Sequence, residues 1–312
     1  MNKQYFQFAT RLPHPLNMLA QSKGTFEGDG DTSSFEGIFG LNPVLVATPW
    51  LFWEIFSELD DKTFLQVSEA GMYFVLASVI IDHIIDKQSD SPEAICLLHQ
   101  VLYNDGVAGY RALFPSKSNF WNIFNRLAND HLVGLATEIL AQSKPMTLDL
   151  ESLIVMAHGK VSPIITTIAA MVEVSNQALL LDPIEASLKH IAVASQLLDD
   201  IGDWEHDLHV GHLTYFLTLL APSKAWDSQH TPSEYDLQKR IDDDWVDVRQ
   251  LQEVIDWLDR SLNAVSSINC PAWIEYVNGY RTLANNHSTS FTARHLQRVL
   301  EPFVREKWII RP

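Results

Sequence analysis

Apolar residues recur at three- and four-residue intervals along nearly the whole chain, and strand-like alternation is almost absent. That pattern confines the sequence to helix-on-helix architectures. It predicts helices over 43–59, 62–87, 92–113, 118–142, 148–176, 183–208, 212–221, 234–266, 271–287 and 291–306. Pro43, Pro92, Pro183 and Pro271 fall at the starts of these stretches, where a residue with no N–H to donate costs little. Residues 21–40, rich in Gly, Ser, Thr and Asp, read as a loop, and so do residues 222–233 with Pro222 and Pro232. Neither marks a composition change of the kind a domain linker shows, and no internal repeat is visible. The expected organisation is an N-terminal segment with a Gly-rich loop over 1–42, then a single-domain all-α helical bundle over 43–312.

At 312 residues and 46% hydrophobic content the chain can bury a substantial core. Its net charge of −17, with no basic stripe to neutralise phosphates, argues against a nucleic-acid partner. No run approaches 18 uninterrupted apolar residues, so no membrane span is expected. Residues Met1-Asn2-Lys3-Gln4-Tyr5 lack the apolar core of a signal peptide. Cys96 and Cys270 are too few for a disulfide framework or a zinc site. The expected location is cytoplasmic.

Two acidic clusters carry the chemistry: Asp82-His83-Ile84-Ile85-Asp86, and Gln196 through Asp207. Asp82 and Asp86 sit at i and i+4, and Asp199, Asp203 and Asp207 at i, i+4 and i+8, so each set shares one helix face. Like charges four apart repel by roughly 0.2–0.5 kcal/mol per pair in an isolated helix, so propensity does not favour the pattern. Each set continues an apolar run, Tyr73 to Ile81 and Ile191 to Leu198, where a carboxylate is costly unless paired or metal-bound. A hard cation between the two faces accounts for both sets. Mg²⁺ suits them, since it combines a few carboxylates with water and substrate phosphates. The nearby run Asp242-Asp243-Asp244 reads instead as a solvated helix face.

These residues resemble the trans-isoprenyl diphosphate synthases and class I terpene synthases. Asp82-His83-Ile84-Ile85-Asp86 is similar to the first DDxxD motif with its second Asp replaced by His. Gln196 to Asp207, followed by Gly211 and Thr214, resembles the second motif, and its acids also match the spacing of the cyclases' three-ligand metal motif. Lys160, interrupting the apolar stretch Leu153 to Ser162, stands where the family places a diphosphate-contacting Lys, although Val161 follows it in place of Thr. The resemblance implies the all-α class I isoprenoid synthase fold, three Mg²⁺ ions held by Asp82, Asp86, Asp199, Asp203 and Asp207, and an allylic prenyl diphosphate substrate that contacts Lys160. A homodimer is compatible with it.

The departures bear on which reaction is run. Chain-elongating relatives carry a Gly-Lys-Arg-type patch for isopentenyl diphosphate, whereas Phe35 to Pro43 here contains no Lys or Arg. The Arg pair that follows their first motif is also missing from Lys87-Gln88-Ser89-Asp90-Ser91-Pro92. A second diphosphate needs cationic donors. The expected activity is therefore ionisation of one allylic diphosphate and cyclisation to a terpene. The alternatives are a prenyltransferase serving a non-isoprenoid acceptor, an isoprenyl diphosphate synthase, and a non-catalytic partner subunit. A di-iron bundle would want Glu-x-x-His on two helices, and the chain has none.

Ser78 and Phe74 lie one and two turns before Asp82, beside small Ala77, and Phe74 is the expected cavity floor for a C15 to C20 substrate, C20 favoured. Phe74 is equally readable as ordinary core, with Trp50, Phe52 and Trp53 as further aromatic candidates. Gln196 has two readings: its amide oxygen faces the cation, or it satisfies a neighbouring backbone group. His83 reads as outward-facing, and His212 as a weaker, pH-dependent substitute for a basic diphosphate contact.

Overall fold

The computed structural model describes residues 2–23, 44–85, 91–143, 148–221 and 232–309, and among them no strand occurs. The helices are α1 (Asn2–Arg11), α2 (Leu16–Lys23), α3 (Val44–Leu51), α4 (Asp61–Ile85), α5 (Pro92–Leu113), α6 (Phe120–Ser143) and α7 (Leu150–Val174). After a 3₁₀ turn at Ala178–Leu180 come α8 (Leu181–Gly202), α9 (Trp204–Val210), α10 (Tyr215–Leu220), α11 (Glu234–Asp244), α12 (Val246–Ala264) and α13 (Pro271–Ile309). The all-α class is as expected. The chain divides into two compact units. One comprises Met1–Leu135, Gly159–Glu185 and Ile268–Trp273; the other comprises Ala136–His158, Ala186–Ser267 and Ile274–Pro312.

In the first unit α4 is the central element. Glycines set its spacing to its neighbours. A Cβ on Gly106 of α5 would meet the Phe74 amide nitrogen at 2.9 Å and the Ala70 carbonyl at 3.0 Å, and one on Gly109 would meet the Ala70 Cβ at 2.7 Å. On another side of α4, a Cβ on Gly71 would strike Thr167 of α7 at 2.3 Å. Asp60 starts the helix, accepting from the Thr63 amide at 3.0 Å and the Thr63 hydroxyl at 2.7 Å. Segments of α4 and α7 are long and apolar enough to cross a bilayer by composition alone, but 67% and 78% of their windows are buried inside the protein. They are core helices.

No helix was expected before residue 43, yet α1 and α2 belong to this core. Tyr5, Phe8, Ala9 and Leu12 present one apolar face to Met72, Tyr73, Leu76 and Leu102, and Tyr5 donates its hydroxyl to the Ala20 carbonyl at 2.7 Å. The Gly-rich loop expected next lies outside the described residues.

Helix breaks depart from expectation in both directions. The expected 43–59 helix stops at Leu51, just after Pro49, and continues as turns. Helix α7 stops at Val174 because Asn176 takes a left-handed conformation (φ 54°) and Gln177 donates its amide to the Val172 carbonyl. The expected 234–266 helix breaks at Trp245 (φ 55°). Tertiary pairing over-determines that break. Buried His295 of α13 contacts Asp247 at 2.8 Å through Nε2 and stacks on Trp245, while Arg294 binds Asp247 at 2.8 Å and Arg298 binds Asp242. Asp242 is therefore tied into a charge network, which corrects its reading as part of a solvated face; Asp243 is exposed. Conversely, 271–287 and 291–306 form one helix. The polar residues expected to interrupt it bond back onto it, as Thr282, Asn285 and Thr289 do to carbonyls four residues earlier.

Two glycines test this account. Gly106→Ala should destabilise the protein by about 1–3 kcal/mol, because the methyl meets backbone that cannot yield. Gly279→Ala, in mid-helix with nothing within 4 Å, should stabilise it by about 0.5–1 kcal/mol. Urea unfolding of both variants against the parent measures the two signs.

Candidate functional site

The first acid set sits where α4 emerges from its apolar surroundings. Asp82 is half-buried, and Lys160, 78 residues away on α7, brings Nζ to 3.4 Å from each of its carboxylate oxygens. Only Oδ2 is placed to accept a hydrogen bond; Oδ1 is buried without a hydrogen-bond partner. Asp86 lies outside the described residues, as do the side chain of His83 and residues 86–90 after the motif.

Two histidines missing from the sequence reading bond to backbone carbonyls of the helices that carry this pair. His131 of α6 lies 3.0 Å through Nδ1 from the Gly159 carbonyl, and His99 of α5 lies 2.9 Å through Nδ1 from the Ala77 carbonyl. A carbonyl can only accept, so each ring carries its proton on Nδ1 when neutral. Burial lowers the His131 pKa below its ordinary value; the hydrogen bond to Gly159 and the charge of Asp82 oppose that, and His99 and Lys160 add to it. All three groups thus lie within electrostatic reach of the His131 ring.

The residues expected to shape a cavity divide. Phe74 is buried in an aromatic cluster with Tyr103, Tyr110 and Phe124, at ring-centre distances of 5.5, 6.1 and 5.2 Å. Ala77 is fully covered, and Ser78 is partly buried with its hydroxyl donated to the Val75 carbonyl at 2.6 Å. Phe52 packs on Trp273, whereas Trp50 and Trp53 both meet Phe64 edge-on.

The second acid set keeps its register across a helix break. Helix α8 ends at Gly202 and α9 starts at Trp204, so Asp199, Asp203 and Asp207 do not share one continuous helix. The helical ladder nevertheless runs through the junction, from the Asp203 amide to the Asp199 carbonyl at 3.0 Å and from the Asp207 amide to the Asp203 carbonyl at 2.9 Å. Asp199 and Asp203 are exposed and Asp207 is partly buried. Gly211 (φ 74°) closes α9, with the His212 amide reaching back to the Asp207 carbonyl at 2.8 Å.

Asp200, between Asp199 and Asp203 in sequence, points the other way. It is 2% exposed and accepts from Gln196 Nε2 at 3.0 Å and from the Tyr215 amide at 3.1 Å. Its carboxylate thus caps the start of α10, together with the Thr214 hydroxyl bound to the Leu217 amide. Gln196 spends its amide nitrogen on this carboxylate. Compared with protein-family models and with curated proteins, the chain matches none.

Burial pushes the Asp200 carboxyl up to about 6, against hydrogen bonds that lower it and with the charge of Asp199 raising it further. A folded value above the ordinary one means that folding favours the protonated form. The associated stability is complete below about pH 4 and is lost as pH rises through about 6. In EDTA, stability from this group should fall by on the order of 2–3 kcal/mol across that window. Asp200→Asn should remove the slope. Urea midpoints of both proteins at pH 4, 5, 6 and 7 decide it, and parallel profiles would place the titration elsewhere.

Proposed function

We propose that this protein is a class I terpene synthase that ionises an allylic prenyl diphosphate with Mg²⁺ and cyclises the resulting cation. The observation that carries the reading is the approach of Lys160 to Asp82. A cation and an anion from distant parts of the chain share a half-buried spot, and one carboxylate oxygen there is buried without a hydrogen bond. That orphaned acceptor is a fitting donor for a hard cation. Asp82 and Asp86 would hold Mg²⁺ in one set, and Asp199, Asp203 and Asp207 in the other. Bound there, Mg²⁺ acts as a Lewis acid toward the leaving diphosphate. Among the described residues no three candidate ligands are gathered; Mg²⁺ usually keeps waters and takes substrate phosphates beside a few carboxylates, and these would complete its coordination.

Lys160 has two partners in turn. Without substrate its charge offsets Asp82; with substrate it binds diphosphate oxygens and stabilises the charge that grows on the leaving group. The allylic cation needs a dry apolar wall with aromatic faces. Small Ser78 lies one turn and Phe74 two turns before Asp82 along α4, with Ala77 between them. The absence of Lys and Arg from 35–43 supports one diphosphate site rather than two.

Purified protein with Mg²⁺ and each of the C10, C15, C20 and C25 prenyl diphosphates, followed by mass spectrometry, should yield a terpene from substrate alone. Asp82→Ala and Asp199→Ala should lower kcat/KM by about 100-fold or more while still folding. Asp243→Ala should leave it unchanged. Turnover in EDTA would exclude the metal mechanism, and chain-elongated products on adding isopentenyl diphosphate would restore the synthase reading.

Chain length is tested separately. Ser78→Phe places a ring about 6 Å nearer Asp82 than Phe74 along the helix (four residues at 1.5 Å), and should exclude C20 while sparing a shorter substrate. Relative turnover of C10, C15 and C20 by both proteins is the comparison. Retention of C20 in a folded variant would mean that α4 does not set cavity depth.

A further inference from the structure

We infer that His131 is a positioning residue for Lys160: its imidazole supplies the donor that Pro163 withholds from the Gly159 carbonyl, and so fixes the turn of α7 that carries Lys160 to Asp82. In an α-helix the carbonyl of residue i accepts the amide of residue i+4. For Gly159 that amide belongs to residue 163, and Pro163, inside α7, has no N–H. A buried carbonyl left without its partner is costly, and freed ladder groups are where helices kink. His131 Nδ1–H, 3.0 Å from the Gly159 oxygen, fills the gap from the neighbouring helix.

The same spot is a backbone-to-backbone crossing. A Cβ on Gly159 would lie 2.6 Å from the Gly134 Cα and 2.8 Å from the Asp130 carbonyl oxygen, so α6 and α7 touch with nothing between them. His131 and Gly134 sit three apart on one face of α6, and Gly159 and Pro163 four apart on one face of α7. Lys160 is the next residue along, with Nζ 3.4 Å from both Asp82 oxygens. The hydrogen bond, the glycine contact and the proline together determine where its side chain departs from the helix. His131 acts through Lys160; it is not itself assigned a contact with substrate. The geometric part of this inference stands alone, and its consequence for turnover rests on the proposed function.

Three variants separate donor from ring. His131→Ala removes the donor, and His131→Asn returns an amide N–H close to the Nδ1 position. His131→Ala with Pro163→Ala gives α7 back its own amide. Two readouts apply: acylation of Lys160 by an amine-reactive reagent, quantified by peptide mass spectrometry against Lys189 and Lys239, and KM and kcat with an allylic diphosphate and Mg²⁺. His131→Ala should change relative Lys160 acylation about three- to tenfold, the scale of one neutral hydrogen bond. kcat/KM should fall by a similar factor, with part of the loss in kcat, because Lys160 holds the diphosphate in the ground state and stabilises the charge that grows on it in the transition state. His131→Asn and the double variant should both return to within about twofold of the parent.

Unchanged Lys160 acylation in folded His131→Ala, or no recovery in the double variant, would overturn the inference. Should His131→Ala alone fail to fold, the double variant must fold and label like the parent, and its failure also overturns it. Absence of turnover in every protein, parent included, with the acylation pattern as expected, would refute the proposed reaction and leave the role of His131 intact.

Discussion

Helices α4 and α7 are apolar on nearly every side, so other helices must wrap them, and a charge can sit only where the wrapping ends. That constraint organises the first unit. Gly106 and Gly109 let α5 approach the backbone of α4, and Gly71 makes room for the Thr167 side chain of α7. Asp82 lies where this sheath opens, and half-burial there makes an opposite charge nearby worth more than it would be in water. Lys160 supplies that charge from the other apolar helix. Each of the two side chains makes the other's position tolerable.

Polar groups in the second unit govern chain direction. Asp200 faces inward and ties the end of α8 to the first turn of α10. Its neighbours Asp199 and Asp203 face solvent. Adjacent aspartates thus do opposite work, which follows from the helical step of about 100° between consecutive side chains. The acids at Asp242 and Asp247 likewise hold a turn, here against His295, Arg294 and Arg298 of α13.

Much of the helical framework was legible from apolar periodicity and proline placement: α5 begins at Pro92 and α13 at Pro271 as expected. The errors share a cause. Trp245 is a residue with no helix-breaking tendency, and its left-handed backbone is held by pairing to residues some fifty positions away, which local reading does not see. The continuity of α13 through Asn285 and Thr289 is decided by side-chain bonds back to the backbone. Asp82 and Lys160 were legible because each interrupts an apolar run. Asp200 was not, since its sequence looks the same as that of its exposed neighbour. His131 carried no local signal, but Pro163 did: a proline four residues after Gly159 announces a carbonyl in need of a donor.

The packing of α1 and α2 has a practical corollary. Their face of Tyr5, Phe8, Leu12 and Leu16 covers Met72, Tyr73, Leu76, Leu98 and Leu102 on α4 and α5. A shortened protein begun at residue 44 would present those side chains to water, each at about 1.5–3 kcal/mol for a large apolar group. Such a patch is large enough to drive self-association. Removing the first two helices would therefore trade solubility and yield for brevity, even though neither helix contributes a residue to either acid set.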